Sequence, residues 1–471
     1  MRDHGRLGEP RPVTDVAPHG RRGDAPHIVS VPPGPKTRDI LERQSAVLYR
    51  GLAEEVGPFV ICRKSGYEIE DVDGNVYLDC ISAMASVPAG AARADITEAA
   101  VDVLRRYGNE DPHYYSHEYV LPLAERLVAI APGALSRVDI ALNGTEAVET
   151  AVRFMRRATG RTIVIGFMGG YHGEAGTAGA IGAETSDLSY GYRALMPGFV
   201  HVPYPNPYRT PFTARPGGTG DGTVDYMRDF LLQHAVDPGE VAGLVIEPVM
   251  GSGGCVAPPE TFWPALAELC REFDFLLCAD EVKTGFGRAG TMFAVERFGV
   301  EPDLMALGKS MGGGVMPIGA LLGTDASMDF DDVSTGSTWS WLPAACAAAL
   351  ATLDVFEQEP ILENVMALEA AGLEGLRELM SRYDAIGDVR AVGCFMAIEF
   401  VKDRETKERD LDLQERVAWG CVRRGLLLDP STTSLNIQPS LTMPVEEMST
   451  VLRILDEAIA EAVGDPGRPQ A

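Results

Sequence analysis

The sequence predicts an α/β fold in which a mainly parallel β-sheet is covered by helices. Between about residues 80 and 325, short apolar runs alternate with helical stretches, and this alternation is typical of parallel strands joined by helices. The predicted strands are "RVDIAL" (137–142), "RTIVIGF" (161–167), "GLVIEPV" (243–249), "FLLCADEV" (275–282), "DLMAL" (303–307) and "IGALLG" (318–323). Ligands of such sheets bind at the carboxyl ends of the strands, so these ends are where a site is expected.

Two flanking regions show other patterns. Apolar and polar residues alternate on both sides of "DGN" between about residues 60 and 80, which predicts a β-hairpin. A third region starts at about residue 340 with the alanine-rich helix "LPAACAAALATLDVFEQE" and ends with the helical stretch "VEEMSTVLRILDEAIAEAV" (445–463).

Composition excludes several classes of function. The 471 residues are 45% hydrophobic and 23% charged, which is ordinary for a soluble globular protein of two or three domains. No apolar run is long enough to cross a bilayer, so no membrane partner is predicted. The formal charge of −27 argues against nucleic acid, whose phosphates are bound by Lys and Arg, and it permits a cationic substrate.

The N-terminal segment and the cysteines indicate the compartment. Residues 1–35 contain no apolar core of a secretory signal, and their Pro, Gly and Arg content predicts a mobile tail, with a transit peptide as the alternative. The eight cysteines form no CxxC pair and no metal-like cluster. They are therefore predicted to be free thiols in a reducing cytoplasm, and no metal site is predicted.

The stretch "DLMALGKSMGGG" (303–314) places Lys309 directly after an apolar run. It is not a P-loop, because that motif requires a glycine five positions before the Gly-Lys pair and this chain has Asp303 there. Two interpretations are left: a lysine in solvent, or a catalytic amine that a strand delivers into a cleft.

Other predicted strands also end in groups that carry chemistry. The helix after "RVDIAL" begins with Gly144 and Thr145, and its free N–H groups can bind a phosphate, although a plain capped helix is the alternative. Tyr171 follows "RTIVIGF" in the loop "MGGYHGE", where an aromatic ring can stack on a planar ligand. Asp280 and Glu247 end two apolar runs, and a carboxylate there needs a cation or a strong donor.

These groups together match one cofactor. Pyridoxal 5′-phosphate (PLP) requires a phosphate cradle, a stacking aromatic ring, a carboxylate for the protonated ring nitrogen and a lysine that forms the Schiff base. Lys309 is therefore predicted to be the catalytic amine. Lys283 is a rival amine three residues after Asp280, and we expect it to contact the ring hydroxyl or the substrate.

The chain resembles the class III aminotransferases, which are fold-type I PLP enzymes, over roughly residues 40–465. The resemblance lies in "ALNGTEAVETAVRFMRRATGR", "GGYHGE", "LVIEPV", "LLCADEVKTGFGRAGTMFAVERFGVEPDLMALGKSMGGGVMPIGALLG" and "GSTWSWLPAACAAALATLD". It implies a large PLP-binding domain (96–338). A smaller α+β domain would come from both chain ends (36–95 and 339–465), with a C-terminal tail at 466–471.

The resemblance also implies roles for the residues at the ring of the cofactor. Lys309 would form the Schiff base, and Asp280 would pair with the ring nitrogen. Val282 would pack on the ring face opposite Tyr171, and Glu247 would help to order the site beside the ring.

At the phosphate, the resemblance implies that Gly144 and Thr145 bind through backbone and hydroxyl groups. Thr338 would reach the phosphate of the neighbouring subunit. A homodimer with active sites at the subunit interface is therefore expected.

Two departures from the family pattern concern the substrate. Many relatives have a carboxylate-binding arginine in an "RFxPPL"-like stretch, and here Asn436 takes that position in "SLNIQPSL". The usual "TFGGNP" reads "TWSWLP", which brings in Trp339 and Trp341; stacking on a sugar is one interpretation, and burial in an interface is the other. We therefore expect a transaminase that moves an amino group from an amine donor to an aldehyde or ketone. An oxidised amino-sugar is the predicted acceptor, as in relatives that build aminoglycoside antibiotics.

Three alternatives stay open at this point. Related PLP enzymes act as aminomutases or epimerases, which move or invert an amino group within one molecule and consume no donor. A general ω-amino-acid:2-oxo-acid transaminase is the second alternative. The third is a cofactor-binding protein without turnover, against which the intact Lys309 and Asp280 argue.

Overall fold

The computed structural model describes residues 25–50, 59–186, 191–212 and 222–464. Within these ranges the strands are β1 (Ile61–Ser65), β2 (Glu68–Asp71), β3 (Val76–Asp79), β4 (Arg137–Ala141), β5 (Ile163–Met168), β6 (Phe199–Pro203), β7 (Val241–Ile246), β8 (Leu276–Asp280), β9 (Leu304–Leu307), β10 (Gly319–Gly323), β11 (Ile386–Val392), β12 (Phe395–Asp403), β13 (Glu408–Arg409), β14 (Leu426–Leu427), β15 (Asp429–Pro430) and β16 (Leu435–Ile437). The α-helices are Pro35–Ser45, Ala94–Arg106, Val120–Ile130, Gly144–Thr159, Gly176–Ile181, Tyr192–Leu195, Gly222–Tyr226, Phe262–Phe273, Ala294–Arg297, Asp325–Met328, Pro343–Gln358, Ile361–Arg382, Leu411–Arg423 and Glu447–Gly464. Met227–Ala235 is a π-helix, Pro238–Glu240 and Lys309–Gly312 are 3₁₀-helices, and Ser82–Ala85 is a left-handed turn.

Seven strands form the central sheet in the order β4-β10-β9-β8-β7-β5-β6. Strands β5 to β9 are parallel to one another, and β10 is antiparallel to both β4 and β9. All six predicted apolar runs are strands of this sheet, so the predicted mainly parallel α/β sheet is confirmed. The sequence pattern does not predict the edge strand β6, because "FVHVP" contains a histidine and a proline and offers no sustained apolar run.

Alternate residues of the central strands pack on opposite faces of the sheet. In β9, Leu304 and Ala306 pack in the core that contains the helix Gly144–Thr159, whereas Met305 and Leu307 pack in the core on the other side. Each fully buried apolar side chain of this size contributes about 1.5–3 kcal/mol. Burial on both faces keeps the carboxyl ends of the strands in fixed relative positions.

A second sheet, β1-β2-β3-β14, joins the two ends of the described chain. The hairpin β2–β3 turns at Gly74, whose φ is +93°, and the Asp71 carboxylate accepts the N–H groups of Asp73 and Asn75 at 2.9 Å each. The predicted hairpin is thus confirmed. Strand β14 pairs in parallel with β3, so this sheet draws on both ends of the chain, as expected for the smaller α+β domain.

Part of the predicted N-terminal tail packs on this hairpin. The N–H and carbonyl of His27 bond to the carbonyl and N–H of Val76 at 2.8 Å each. Residues 25–34 therefore differ from the mobile tail predicted for 1–35, because local Pro and Gly content does not show that β3 offers free edge groups. Residues 1–24 and the predicted tail 466–471 lie outside the described residues.

A third sheet has the strand order β11-β12-β16-β15, with β13 paired to β12. The alanine-rich helix Pro343–Gln358 packs in two hydrophobic cores. Ala345 and Ala349 pack in the core of the central sheet, and Ala344 and Ala348 pack in the core that the second and third sheets share. Small side chains let the helix be buried on both sides. The predicted domain boundaries at 95/96 and 338/339 stay predictions.

Candidate active site

A cavity of about 420 Å³ opens where the carboxyl ends of β4, β5, β7, β8 and β9 meet. This is the expected place for a ligand in such a sheet. The lining residues are Ser86, Asn143, Gly144, Thr145, Tyr171, His172, Gly173, Glu247, Asp280, Val282, Lys283, Lys309, Gly314, Val315, Met316, Pro317 and Ile318. The structure thus brings together the strand-end residues that the sequence pattern selected.

Lys309 enters this cavity directly after β9. Its φ is +41°, an uncommon left-handed conformation for a non-glycine residue, and its Nζ lies 5.9 Å from the ring centroid of Tyr171. Burial, followed by the positive charge of Lys283, lowers the pKa of Lys309 to about 8, although Asp280 and Glu247 oppose this shift. The neutral, nucleophilic form of this amine is therefore more populated than that of an ordinary lysine.

Asp280 forms a buried pair with His172 at the base of the cavity. Its Oδ2 lies 2.7 Å from Nδ1 of His172, and its Oδ1 accepts the N–H of Val282 at 3.0 Å. Burial opposes protonation of His172, but the hydrogen bond and the charge of Asp280 raise the pKa of the imidazole above its usual value. The pair therefore favours the protonated form of His172.

His172 is a residue of the site for which the sequence pattern predicts no role. The available signal was its place beside Tyr171 in a glycine-rich loop after a strand. That its partner is Asp280, 108 residues away, becomes visible only when β5 and β8 are placed in one sheet.

Glu247 connects two loops that border the cavity. One carboxylate oxygen accepts the N–H of Tyr171 and the other accepts the N–H of Gly251, each at 3.0 Å. Burial raises the pKa of Glu247. The two hydrogen bonds hold the loop that carries the Tyr171 ring, whose hydroxyl donates to Glu174 at 3.1 Å.

The start of the helix Gly144–Thr159 faces the same cavity. Asn143 caps it by accepting the N–H of Glu146 at 3.0 Å, which leaves other first-turn N–H groups free for an anion. A Cβ on Gly144 would lie 2.4 Å from Cγ1 of Val282, and a Cβ on Gly173 would lie 2.4 Å from Oγ1 of Thr145. Both glycines are therefore required for this close packing around the start of the helix.

These residues fit PLP. The helix start with Thr145 would hold the phosphate, Asp280 the ring nitrogen and Tyr171 one ring face, while Lys309 would attach the cofactor. The buried Nε2 of His172 has no protein partner among the described residues, which leaves a polar atom for a ligand or water beside that pocket. When bound, PLP withdraws electrons from the carbon that bears the substrate amine.

Four residues predicted for the phosphate or the substrate lie outside this cavity. Thr338 and Trp339 are exposed on one loop, and Trp339 is 55% exposed. The geometry does not support Trp341 as a substrate-facing ring, because it is buried and its indole N–H donates to the Gly319 carbonyl at 2.8 Å. Its burial inside a single chain differs both from stacking on a sugar and from burial in a subunit interface.

Asn436 is also buried away from the cavity. Its Nδ2 donates to Asp429 at 3.1 Å, and its Oδ1 accepts the Ser434 hydroxyl at 2.7 Å. The amide groups are thus occupied, so Asn436 is not placed to bind a substrate directly. Lys283, in contrast, does line the cavity.

Along the described ranges, no helix combines the length and apolar character of a membrane span. In those same ranges, His, Cys, Asp and Glu side chains do not gather into a group of three that could hold a metal ion.

Comparisons with known proteins agree with this chemistry. The family model "Aminotransferase class-III" matches residues 52–459. The chain is 34% identical to an alanine/serine racemase of Pyrococcus horikoshii, over 93% of each chain. It is 36% identical to an adenosylmethionine-8-amino-7-oxononanoate aminotransferase of Geobacter sulfurreducens, over 87% of this chain and 94% of the relative.

Among solved structures, the chain is similar to a PLP-bound amine transaminase from an uncultivated Pseudomonas species. The TM-score is 0.83 at 31% identity, covering 88% of this chain and 99% of the other. Fold, cavity and cofactor-binding pattern lead to one conclusion: the chain is a PLP-dependent enzyme that belongs to the class III aminotransferase family.

Proposed function

We propose that the enzyme transfers an amino group between a small-molecule amine donor and an aldehyde or ketone acceptor, with Lys309 as the residue that attaches PLP. One observation carries this proposal: Lys309 and the Asp280–His172 pair line the same cavity at the end of the sheet. Asp280 would keep the ring nitrogen protonated, and Lys309 would move the proton at the substrate carbon.

A panel of amines tests the proposal. Each amine is added without acceptor to enzyme that carries PLP, and conversion of the cofactor to its amine form is followed by absorbance. We expect conversion by at least one amino acid or amine, and recovery of the original spectrum when a carbonyl acceptor is added. If no amine in the panel changes the spectrum, transamination is the wrong function.

Racemisation of an amino acid is the second candidate, because the relative with 34% identity is an alanine/serine racemase. A racemase inverts the carbon without consuming a donor, whereas a transaminase consumes one donor for each product. Incubation of L-alanine with enzyme and no acceptor, followed by chiral chromatography, separates the two. Accumulation of D-alanine beyond one equivalent of enzyme supports racemisation.

An oxidised amino-sugar acceptor, as in aminoglycoside antibiotic biosynthesis, stays a prediction. The exposed ring of Trp339 and the charge of −27 support it. Trp341 and Asn436 no longer support it, because both are buried and neither lines the cavity. Comparison of oxidised amino-sugars with simple 2-oxo acids as acceptors tests it. Faster turnover of the 2-oxo acids would favour the general ω-amino-acid transaminase.

We also propose that the enzyme is a cytoplasmic homodimer. The exposed Thr338 and Trp339 support a shared active site, as do Tyr114 and Tyr115, which are 80% and 73% exposed. The cysteines are free, and seven of the eight are buried, which agrees with a reducing compartment. Sedimentation equilibrium measures the assembly, and a monomer at micromolar concentration would contradict it.

A further inference from the structure

The ammonium group of Lys283 is buried in the cavity wall without a hydrogen-bond partner among the described residues. The side chain is only 4% exposed. The other described lysines all have a polar or aromatic partner: Lys36 with the Val72 carbonyl, Lys64 with Asp79, Lys309 with the Tyr171 ring, Lys402 with Glu408 and Lys407 with the Tyr208 carbonyl. The Nζ of Lys283 is thus a buried donor that the described protein groups leave without a hydrogen bond.

The carboxylates of the cavity are already bonded to other groups. Glu247 accepts the N–H groups of Tyr171 and Gly251, while Asp280 pairs with His172. Neither carboxylate forms a salt bridge with Lys283 among the described ion pairs. An unpaired buried charge is strongly unfavourable, so Lys283 is poised to gain from an anionic ligand.

The side chain of Lys283 packs against the loop of residues 251–254. A Cβ on Gly251 would lie 2.6 Å from Cδ of Lys283, so the lysine stem needs a glycine there. Two residues from a distant part of the chain hold the same loop. The Gly254 carbonyl accepts a hydrogen bond from Nε of Arg390 at 2.7 Å, and the Gly253 carbonyl accepts one from the Thr433 hydroxyl at 2.9 Å. The wall that carries Lys283 is therefore held by distant parts of the chain.

The lining residues of the cavity include two lysines, Lys283 and Lys309. Lys309 is the amine that would react, which leaves Lys283 to balance a negative charge. Asn436 supplies no cation, and its amide is bonded to Asp429.

We propose that the Lys283 ammonium group binds the carboxylate of an amino-acid substrate whose amino group reacts at the Lys309 end of the cavity. This rests on the proposed function and names its substrate class. The bound carboxylate neutralises Lys283, so the positive charge that lowers the pKa of Lys309 is compensated when the substrate is in place. Lys309 then accepts a proton from the substrate carbon more readily.

The wild-type enzyme itself gives the first test. Alanine is compared with 3-methyl-2-butylamine, in which an isopropyl group replaces the carboxylate, and 4-aminobutyrate with 4-methylpentylamine in the same way. The readout is the amine concentration that half-converts the bound cofactor. We expect at least one amino acid to be favoured roughly ten- to a hundredfold, the range of a charge-assisted hydrogen bond. Equal values within both pairs would overturn the proposal.

The second test measures binding without turnover. Isobutyrate, which has a carboxylate and no amine, is titrated calorimetrically into PLP-loaded wild type, Lys283→Met and the surface control Lys402→Met. We expect Lys283→Met to weaken binding roughly tenfold or more and Lys402→Met to leave it unchanged, although both remove one positive charge. Equal affinity of all three proteins would overturn the proposal.

The stability of Lys283→Met is a third measurement. Removal of an unpaired buried charge should raise the midpoint of thermal unfolding in the absence of carboxylates, whereas loss of a structural contact would lower it. A variant that unfolds earlier than wild type, or does not fold, therefore contradicts the proposal. If no amine converts the cofactor but Lys283→Met still loses isobutyrate affinity, the proposed function fails and the carboxylate site stands.

Discussion

The carboxylates that line the cavity and the buried amine of Lys283 differ in how their polar atoms are satisfied. The carboxylates of Asp280 and Glu247 accept hydrogen bonds from the protein itself. The Nζ of Lys283, in contrast, has no hydrogen-bond partner among the described residues. Protein groups thus already hold the two carboxylates, whereas Lys283 is the group for which we propose a substrate carboxylate as the partner.

A turn with strained backbone angles also borders the cavity. The turn Ser82–Ala85 has φ angles of +50°, +49°, +55° and +63°, and each left-handed non-glycine residue costs about 1–2 kcal/mol. The turn is held by Asp79, which accepts the N–H of Ser82 at 2.9 Å, and by Ser310, which donates to the Ala85 carbonyl at 2.8 Å. Ser86, the next residue, lines the cavity.

The largest expected effect on the reaction rate comes from a change of Asp280. Asp280→Asn should keep the fold and much of the bound PLP but slow proton removal from the substrate by roughly 10²–10³, because a neutral amide cannot stabilise the protonated ring nitrogen. Single-turnover kinetics with saturating amine measures this step. Near-normal rates would show that Glu281 or Glu247 pairs with the ring instead.

Changes at His172 should be smaller, because this residue acts through Asp280. His172→Phe removes the 2.7 Å hydrogen bond, and we expect turnover to fall roughly ten- to a hundredfold. His172→Asn keeps a donor near the position of Nδ1 and should recover part of the rate. A role in packing alone predicts the opposite order, with Phe tolerated better than Asn.

The repulsion between the two lysines should appear in the pH dependence of cofactor attachment. With a pKa of about 8 for Lys309, the rate at which cofactor-free protein attaches PLP should rise with pH, with a midpoint near pH 8, and level off above it. Lys283→Met should move this midpoint upward. Stopped-flow absorbance measures the rate. An unchanged midpoint in the variant would show that Lys283 does not lower the pKa of Lys309.

The same shift makes a prediction about stability. Because the pKa of Lys309 in the folded protein is below its ordinary value of 10.5, the unfolded chain binds more protons between about pH 8 and 10.5. This group therefore makes the cofactor-free protein more stable as the pH rises through that window. Lys309→Met should flatten that rise in chemical denaturation.

The smallest expected effect concerns the strained turn. Ala83→Gly should stabilise the protein by about 1 kcal/mol, because glycine adopts left-handed angles without a Cβ clash. The control Ala370→Gly, at an exposed position of the helix Ile361–Arg382, should destabilise by about the same amount. Urea denaturation measures both, and destabilisation by both variants would show that the turn stores no strain.

The sequence predicts the residues at strand ends better than it predicts contacts between distant segments. Lys309, Asp280 and Glu247 stand at the ends of apolar strands, so local pattern and strand order suffice to bring them together. The contact between His172 and Asp280 and the burial of Trp341 against Gly319 depend on how distant segments pack. No local sequence pattern predicts those contacts, whereas the apolar runs do predict where the strands end.

Reduction of the PLP-loaded enzyme with borohydride, followed by peptide mapping, identifies the lysine that attaches the cofactor. Borohydride converts the bond between PLP and its lysine into a stable pyridoxyl label. We expect a yellow protein whose label is found on Lys309 alone. A label on Lys283 would reverse the roles of the two cavity lysines and show that Lys309 is not the catalytic amine.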